Sequence, residues 1–294
     1  MTLRMISVIK KYDTLPSILL KQNRMNKLAT IIAAKDGDLY KSGDYAPKSV
    51  KNKLEEIYHK KCGYCESKIK HAAALQVEHY RPKAKVIEDK IHQGYYWLGM
   101  EWSNLLLACP SCNNQGAKGN KFPIQGNRVY NPIPNLLEPF FERNTLLANN
   151  LPLIAERPLL LNPELCNPRI HFYFDEDATL YGKTAEGRET INICKLNRDD
   201  LVGNRQNKQL ELLSLFEIAL EANRRYTLQD GAFNFLLSKA FRKLEKSMHP
   251  QQEYALWGWY MFTYFSKCFL AAIDNKAERQ ILLAAYKQYQ KGTL

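Results

Sequence analysis

The 294-residue sequence has no apolar leader, no internal repeat and no low-complexity tract. Its opening, MTLRMISVIKKYD, lacks the uninterrupted apolar run and cleavage site of a secretory signal, which argues for a cytoplasmic protein. It also lacks an even set of cysteines. Four of the seven fall in two Cys-x-x-Cys pairs, and intracellular metal binding explains them better than a disulfide framework. Cys166, Cys194 and Cys268 stand alone in apolar or helical surroundings and read as buried thiols. One stretch, YALWGWYMFTYFSKCFLAAI (254–273), has the length of a membrane span, but Lys267, Ser266, Thr263 and its many aromatics interrupt it. A buried or partner-facing helix is expected there, and no membrane partner.

Acidic residues are scarce in the first 130 positions. That part holds 22 Lys+Arg against 11 Asp+Glu, a balance of +11, whereas 131–294 holds 20 against 19, a balance of +1. Nearly all of the +12 net charge therefore sits on one part of the chain. A basic surface suits a polyanion, because each neutralised phosphate releases condensed counterions. Charge alone fits a solvated basic face equally well.

Helices are predicted over 14–34 and 47–60, the second from the spacing of Val50, Leu54, Ile57 and Tyr58. Leu75–Tyr80 reads as extended, ending before Arg81-Pro82. The polar segment 83–95 is predicted to loop out, and a short helix to begin near Ser111 or Asn113. PLLLNP (158–163) and IHFYFDEDATLYG (170–182) read as strands, the latter turning at Asp175-Glu176-Asp177 with His171 and Tyr173 alternating on one strand. Asn162-Pro163 reads as a turn. Helices are predicted over 187–195, 198–224, 228–248, 251–273 and 275–290. The expected class is α+β: an N-terminal helical extension (1–45), a metal-site module (46–130), a strand-containing connector (131–195) and a helical region (196–294).

Cys62 and Cys65 are separated by 43 residues from Cys109 and Cys112. Each pair can turn both sulfurs toward one ion, and four thiolates satisfy tetrahedral Zn²⁺ with no open position, so this zinc is structural. The residues interleaved with the cysteines carry the chemistry. VEHYRPK places Glu78 and His79 ahead of Pro82, and WSNLLLACPSCNN places Asn104 and Asn113 around the second pair. Here the sequence resembles the HNH endonucleases of the ββα-metal fold, in the subtype stapled by a four-cysteine zinc site.

That resemblance implies roles for particular residues. His79 is the general base that takes a proton from water. Glu78 and Asn113 hold one hard divalent cation, Mg²⁺ or another, that stabilises the scissile phosphate and the leaving 3′ oxygen. Asn104 braces the loop carrying His79. Asn113 stands where many members have His. The family's basic residue comes three positions after this site, whereas Lys118 comes five after, so Lys121, Arg81 and Lys83 are candidate phosphate contacts beside it. His59, His71, His92 and His249 lack such a context and read as surface residues, with His71 able to approach the site.

Beyond the module, CNNQGAKGNKFP, LLLNPELCNPRIHFYFDEDATL and GRETINICKLNRDDLVGNR look like a narrower group. They resemble the HNH nuclease subunit of Septu antiphage systems, which also occurs beside retrons. The resemblance implies a toxic effector nuclease held with an ABC/SMC-like ATPase, in some systems with a reverse transcriptase and its non-coding RNA/DNA. Residues 200–294, aromatic-rich and within the nearly neutral part of the chain (131–294), are expected to dock that ATPase. Two other readings stay open: a zinc-stabilised nucleic-acid-binding module without catalysis, and a stand-alone restriction-type HNH enzyme. The substrate is nucleic acid, with DNA favoured and structured RNA such as tRNA open, since no base-reading motif is present.

Overall fold

The computed structural model describes residues 8–69, 73–132, 143–226 and 230–294. It is mixed α+β, with two small two-stranded sheets among many helices. The chain divides into two compact units. One runs to Phe172 and takes in Gly182–Leu196; the other comprises Tyr173–Tyr181 and Asn197–Leu294.

In the first unit, a 3-10 turn (Ser17–Leu19) leads into helix α1 (Lys21–Ala34), the one-turn helix α2 (Ser42–Tyr45) and α3 (Lys48–Ile57). Val50 and Leu54 bury one face of α3, as their spacing requires. Strand β1 (Gln76–His79) pairs antiparallel with β2 (Leu105–Ala108), placing Glu78 opposite Leu106 and His79 opposite Leu105. Every residue of β2 is buried, so this strand is the floor of the module. Helix α4 (Pro110–Asn113) follows at once, with Pro110 at its first position, where a missing N–H costs nothing. It starts slightly earlier than the sequence suggests.

Buried ion pairs tie outlying segments to this core. Lys10 Nζ meets the Glu164 carboxylate at 2.8 Å and also donates to the carbonyls of Trp102 and Leu105. Arg81 Nε meets Glu156 at 2.8 Å, and both side chains are almost wholly buried. Tyr95 Oη and the Val129 N–H complete the Glu156 shell. Removing one member of such a pair leaves an uncompensated charge, which typically costs about 3–5 kcal/mol.

Several expectations are corrected here. Segment 83–95 forms no helix or strand, as expected of a loop, but it is anchored by the buried Ala84, Val86, His92 and Tyr95. His92 is a core histidine and not a surface one, its Nε2 donating to Val129 O and its Nδ1 accepting from the Gly94 N–H. PLLLNP forms no strand. Pro158 makes only an isolated bridge with Ile124, because beyond it the main chain bonds side chains instead: Leu160 O accepts from Tyr80 Oη and the Leu161 N–H donates to Thr190 Oγ1. His171 ends a short helix, α5 (Pro168–His171), and faces Thr184 Oγ1 at 2.8 Å; the strand begins one residue later. At the Asn162-Pro163 turn the Asn162 side chain accepts from the Glu164 N–H, fixing the loop.

Strands β3 (Phe172–Phe174) and β4 (Leu180–Gly182) form the second sheet, and α6 (Ala185–Cys194) follows, capped by Thr184. The second unit is built from α7 (Asp199–Tyr226), α8 (Asp230–Ser247), α9 (Ala255–Thr263), α10 (Phe265–Phe269) and α11 (Lys276–Lys291). Phe216, Phe241, Phe265 and Phe269 fill its core with edge-to-face and tilted rings. The 254–273 stretch is not one helix: it breaks at Tyr264. Among the described residues no helix is long and apolar enough to cross a membrane.

Candidate active site

The cysteine cluster forms because two turns converge on the end of the β1–β2 hairpin. In the first, the Cys62 N–H donates to Ser67 O and the Glu66 N–H to Cys62 O. Gly63 donates its N–H to Leu107 O on β2, and a Cβ there would lie 2.7 Å from the Tyr58 ring, so the backbone approach needs glycine. In the second, Cys109 caps α4 and Cys112 lies one turn in. All four sulfurs are buried and lie within 4.8 Å of one another, and Cys65 and Cys109 are 3.7 Å apart. That separation matches the about 3.8 Å between sulfurs around a tetrahedral ion with bonds of about 2.3 Å. Burial pushes the Cys62 thiol well up, so thiolates packed this closely require a cation. The set is a closed four-cysteine metal-binding cluster.

Immediately before the turn at Arg81, Glu78 and His79 leave β1 on opposite faces, as strand geometry dictates. On one face Asn113 Nδ2 donates to Gln76 Oε1 at 2.9 Å, and Lys118 Nζ is ion-paired with Glu78. Gln76, Glu78, Asn113 and Lys118 therefore lie together. On the other face the His79 ring is buried, with Nε2 2.9 Å from Gly99 O and the Tyr45 ring edge-on at 4.5 Å between centroids. A carbonyl can only accept, so Nε2 carries the proton and Nδ1 keeps the lone pair. Burial pushes the imidazole down to about 3, which leaves it neutral at physiological pH. Burial also raises the Glu78 carboxyl, against the opposing pull of Lys118.

Asn104, the residue before β2, closes this construction. Its Oδ1 accepts from the Arg81 N–H at 2.8 Å, while its Nδ2 donates to Arg81 O and Leu98 O. It thus clamps both the turn that follows His79 and the segment that carries Gly99. A second clamp is Lys118, whose Nζ also donates to His79 O at 2.7 Å.

The candidate phosphate contacts fare differently. The Arg81 guanidinium is buried on Glu156 and Leu153 O, and the Lys118 ammonium is buried on Glu78, so neither presents its charge at the surface. Lys83 is half-buried, donating to Gly37 O. Lys121 is half-buried. His71 lies outside the described residues. Gly99, Tyr45 and Gln76 were not legible as site residues. They contribute a carbonyl, a ring edge and an amide, none of which leaves a motif, and Tyr45 lies 34 positions before His79.

For a hard divalent cation the donors on the Glu78 face are of the right kind. Asn113 uses its Nδ2 on Gln76, which leaves its carbonyl oxygen to coordinate, and Glu78 supplies a carboxylate. An amide oxygen and a carboxylate with waters suit Mg²⁺-type chemistry, and an arriving cation would compete with the Lys118 ammonium for Glu78.

Two predictions follow from this geometry. Metal analysis of the purified chain should return one tightly held ion bound by thiolates, and Cys62→Ser or strong chelation should unfold the first unit, since binding energy in such clusters is folding energy; a chain that keeps its fold without metal would contradict the assignment. For His79 the unfolded imidazole takes up a proton below about 6.5, whereas the folded one does so only near 3. Its contribution to stability is complete above 6.5 and is lost on acidification, at up to about 1.4 kcal/mol per pH unit. Between pH 7 and pH 5 the wild type should therefore lose about 2 kcal/mol relative to His79→Gln. A difference independent of pH would show an exposed ring.

Comparison with known proteins fits this construction. A family model of HNH endonucleases matches residues 62–119. The Septu protein PtuB of Bacillus mycoides (strain KBAB4) is 34% identical over 176 residues, covering 57% of this chain and 54% of that protein. The Septu protein PtuA of the same organism is 30% identical over 166 residues, covering 55% of this chain and 21% of that protein. The chain thus spans about half the length of the first relative and about a fifth of the second. No solved structure matches it significantly. Residues 62–119, which contain both cysteine knuckles, Glu78, His79, Asn104 and Asn113, match the HNH endonuclease family, and the chain carrying them is similar to the Septu proteins over about half its length.

Proposed function

We propose that the chain is a metal-dependent endonuclease that hydrolyses phosphodiester bonds of nucleic acid, acting in the cytoplasm as the toxic effector of a Septu-type antiphage complex. The observation that carries this reading is the His79 ring, held neutral with Nε2 on Gly99 O and Nδ1 left as a lone pair. The cysteine cluster holds Zn²⁺ and keeps the hairpin and α4 in register.

Glu78 and Asn113 would hold Mg²⁺, which supplies charge neutralisation for the phosphate and the leaving 3′ oxygen when bound. His79 Nδ1 accepts a proton from the attacking water. The negative charge of the phosphodiester raises the proton affinity of the imidazole as substrate arrives. In-line displacement needs the base and the leaving-group stabiliser on opposite sides of phosphorus. The departure of His79 and Glu78 from opposite faces of β1 suits that requirement. Asn104 fixes the ring by clamping the turn after it. The basic first part of the chain gathers the polyanion, with DNA the favoured substrate over structured RNA.

The helical second unit would hold an ATPase partner. Leu210 and Ile218 on α7 and Phe235 on α8 are exposed apolar residues of the kind that protein contacts bury.

Expressed with its genomic neighbour, His79→Ala should lower cleavage by about 10²–10⁴-fold with metal content and fold retained. Sequencing new ends in both nucleic-acid pools identifies the substrate. Unchanged toxicity in the variant would instead indicate a binding module without catalysis. Paired Ile218→Glu and Phe235→Glu substitutions should abolish co-purification with the ATPase and leave the metal cluster intact; a complex that persists would place the contact elsewhere.

A further inference from the structure

The HNH match begins at Cys62, yet the environment of His79 is completed by residues upstream of it. Tyr45, the last residue of α2, sets its ring against the imidazole at 4.5 Å and an interplanar angle of 62°. The ring is half-buried, and burial, then Glu78 and Asp44, raise its phenol, so the hydroxyl stays protonated. Tyr40, five residues earlier, packs on the other member of the His79–Gly99 hydrogen bond. A Cβ at Gly99 would lie 2.3 Å from the Tyr40 ring, so the carbonyl that accepts from Nε2 is backed by this tyrosine.

The segment bearing both tyrosines is itself anchored. Asp44 accepts from the Lys41 N–H at 2.8 Å and pairs with Lys27 of α1 at 3.2 Å, and Lys27 also donates to Leu39 O. Lys83, four residues past His79, reaches back to Gly37 O. The upstream segment thus grips the chain that follows β1, as Asn104 does.

We propose that Tyr45 is a positioning residue for His79: its ring edge blocks rotation of the imidazole, so that Nε2 stays on the Gly99 carbonyl and Nδ1 stays directed at the attacking water. A histidine has two nearly equivalent ring orientations, and a single hydrogen bond at 2.9 Å does not exclude a flip. A ring packed edge-on against one face removes the space the flip needs. Asn104 and Lys118 fix the main chain around His79; Tyr45 fixes χ2. This inference rests on the reading of His79 as the general base.

The test uses the full chain with its partner and compares Tyr45→Ala, Tyr45→Phe, His79→Ala and the Tyr45→Ala/His79→Ala double variant. Metal content and unfolding midpoint serve as controls for folding. Loss of orientation should lower kcat about ten- to a hundred-fold in Tyr45→Ala with KM within about two-fold, since misplacing a reacting group by about 1 Å costs up to about 10²-fold. Tyr45→Phe keeps the ring edge and should restore the rate. In the His79→Ala background the Tyr45→Ala change should have no further effect, because there is no imidazole left to orient. Tyr45→Phe falling as far as Tyr45→Ala would assign the effect to the phenol hydroxyl and overturn the proposal. A wild-type kcat in Tyr45→Ala, or an equal loss in the double variant, would overturn it as well. If His79→Ala itself cleaves normally, the general-base reading fails, and the positioning role fails with it.

Discussion

A buried imidazole tied through one nitrogen to a main-chain carbonyl has a single lone pair left, and its direction is set by whatever holds that carbonyl. In this protein the carbonyl is Gly99 O, and most of the first unit is arranged around the His79–Gly99 contact. Asn104 bonds Arg81 and Leu98 on either side of it, Lys118 holds the His79 carbonyl, and Tyr40 packs behind Gly99. The cysteine cluster acts at one remove. It fixes β1, β2 and α4 relative to one another, and so decides where Asn113 and Lys118 fall with respect to Glu78. A site built on strands and clamped from several directions can hold a reacting group to the tolerance that catalysis needs.

The HNH domain is only a part of that construction. The Arg81 side chain depends on Glu156, which lies outside the matched residues, and Lys10 reaches across from the N-terminal segment to Glu164. These pairs are buried, and each group also has neutral partners: Tyr95 and Val129 for Glu156, Tyr58 for Glu164. Charges enclosed in this way fix geometry more than they add stability. They explain why two basic residues close to the site, Arg81 and Lys118, carry structural duties and leave the surface charge to other lysines.

How far the sequence reveals this depends on the range of each interaction. The cysteine cluster, and the placing of Glu78, His79, Asn104 and Asn113 beside it, are legible because they depend on spacing along the chain within a hairpin and a short helix. The helices of the second unit are legible from apolar periodicity, with the exception of the break at Tyr264, where the backbone leaves the helical region inside an unbroken apolar run. Arg81, Lys118 and His92 looked like surface groups because lysine, arginine and histidine usually are. Their burial depends on partners up to 75 residues away, as with Glu156, or on main-chain carbonyls that carry no side-chain signature. The strand expected at PLLLNP stops after one bridge because its main chain then pairs with the Tyr80 and Thr190 side chains, 80 and 29 positions away, which its apolar run does not reveal.

All of this depends on His79 being neutral, with its proton on Nε2 and its lone pair on Nδ1. Long-range proton–nitrogen correlation NMR on the chain labelled with ¹⁵N-histidine reads this directly, with His79→Gln identifying the resonance among the six histidines. At neutral pH Nε2 should show a protonated-type shift and Nδ1 an unprotonated-type shift. An imidazolium, a proton on Nδ1, or the averaged shifts of a freely exchanging ring would contradict it.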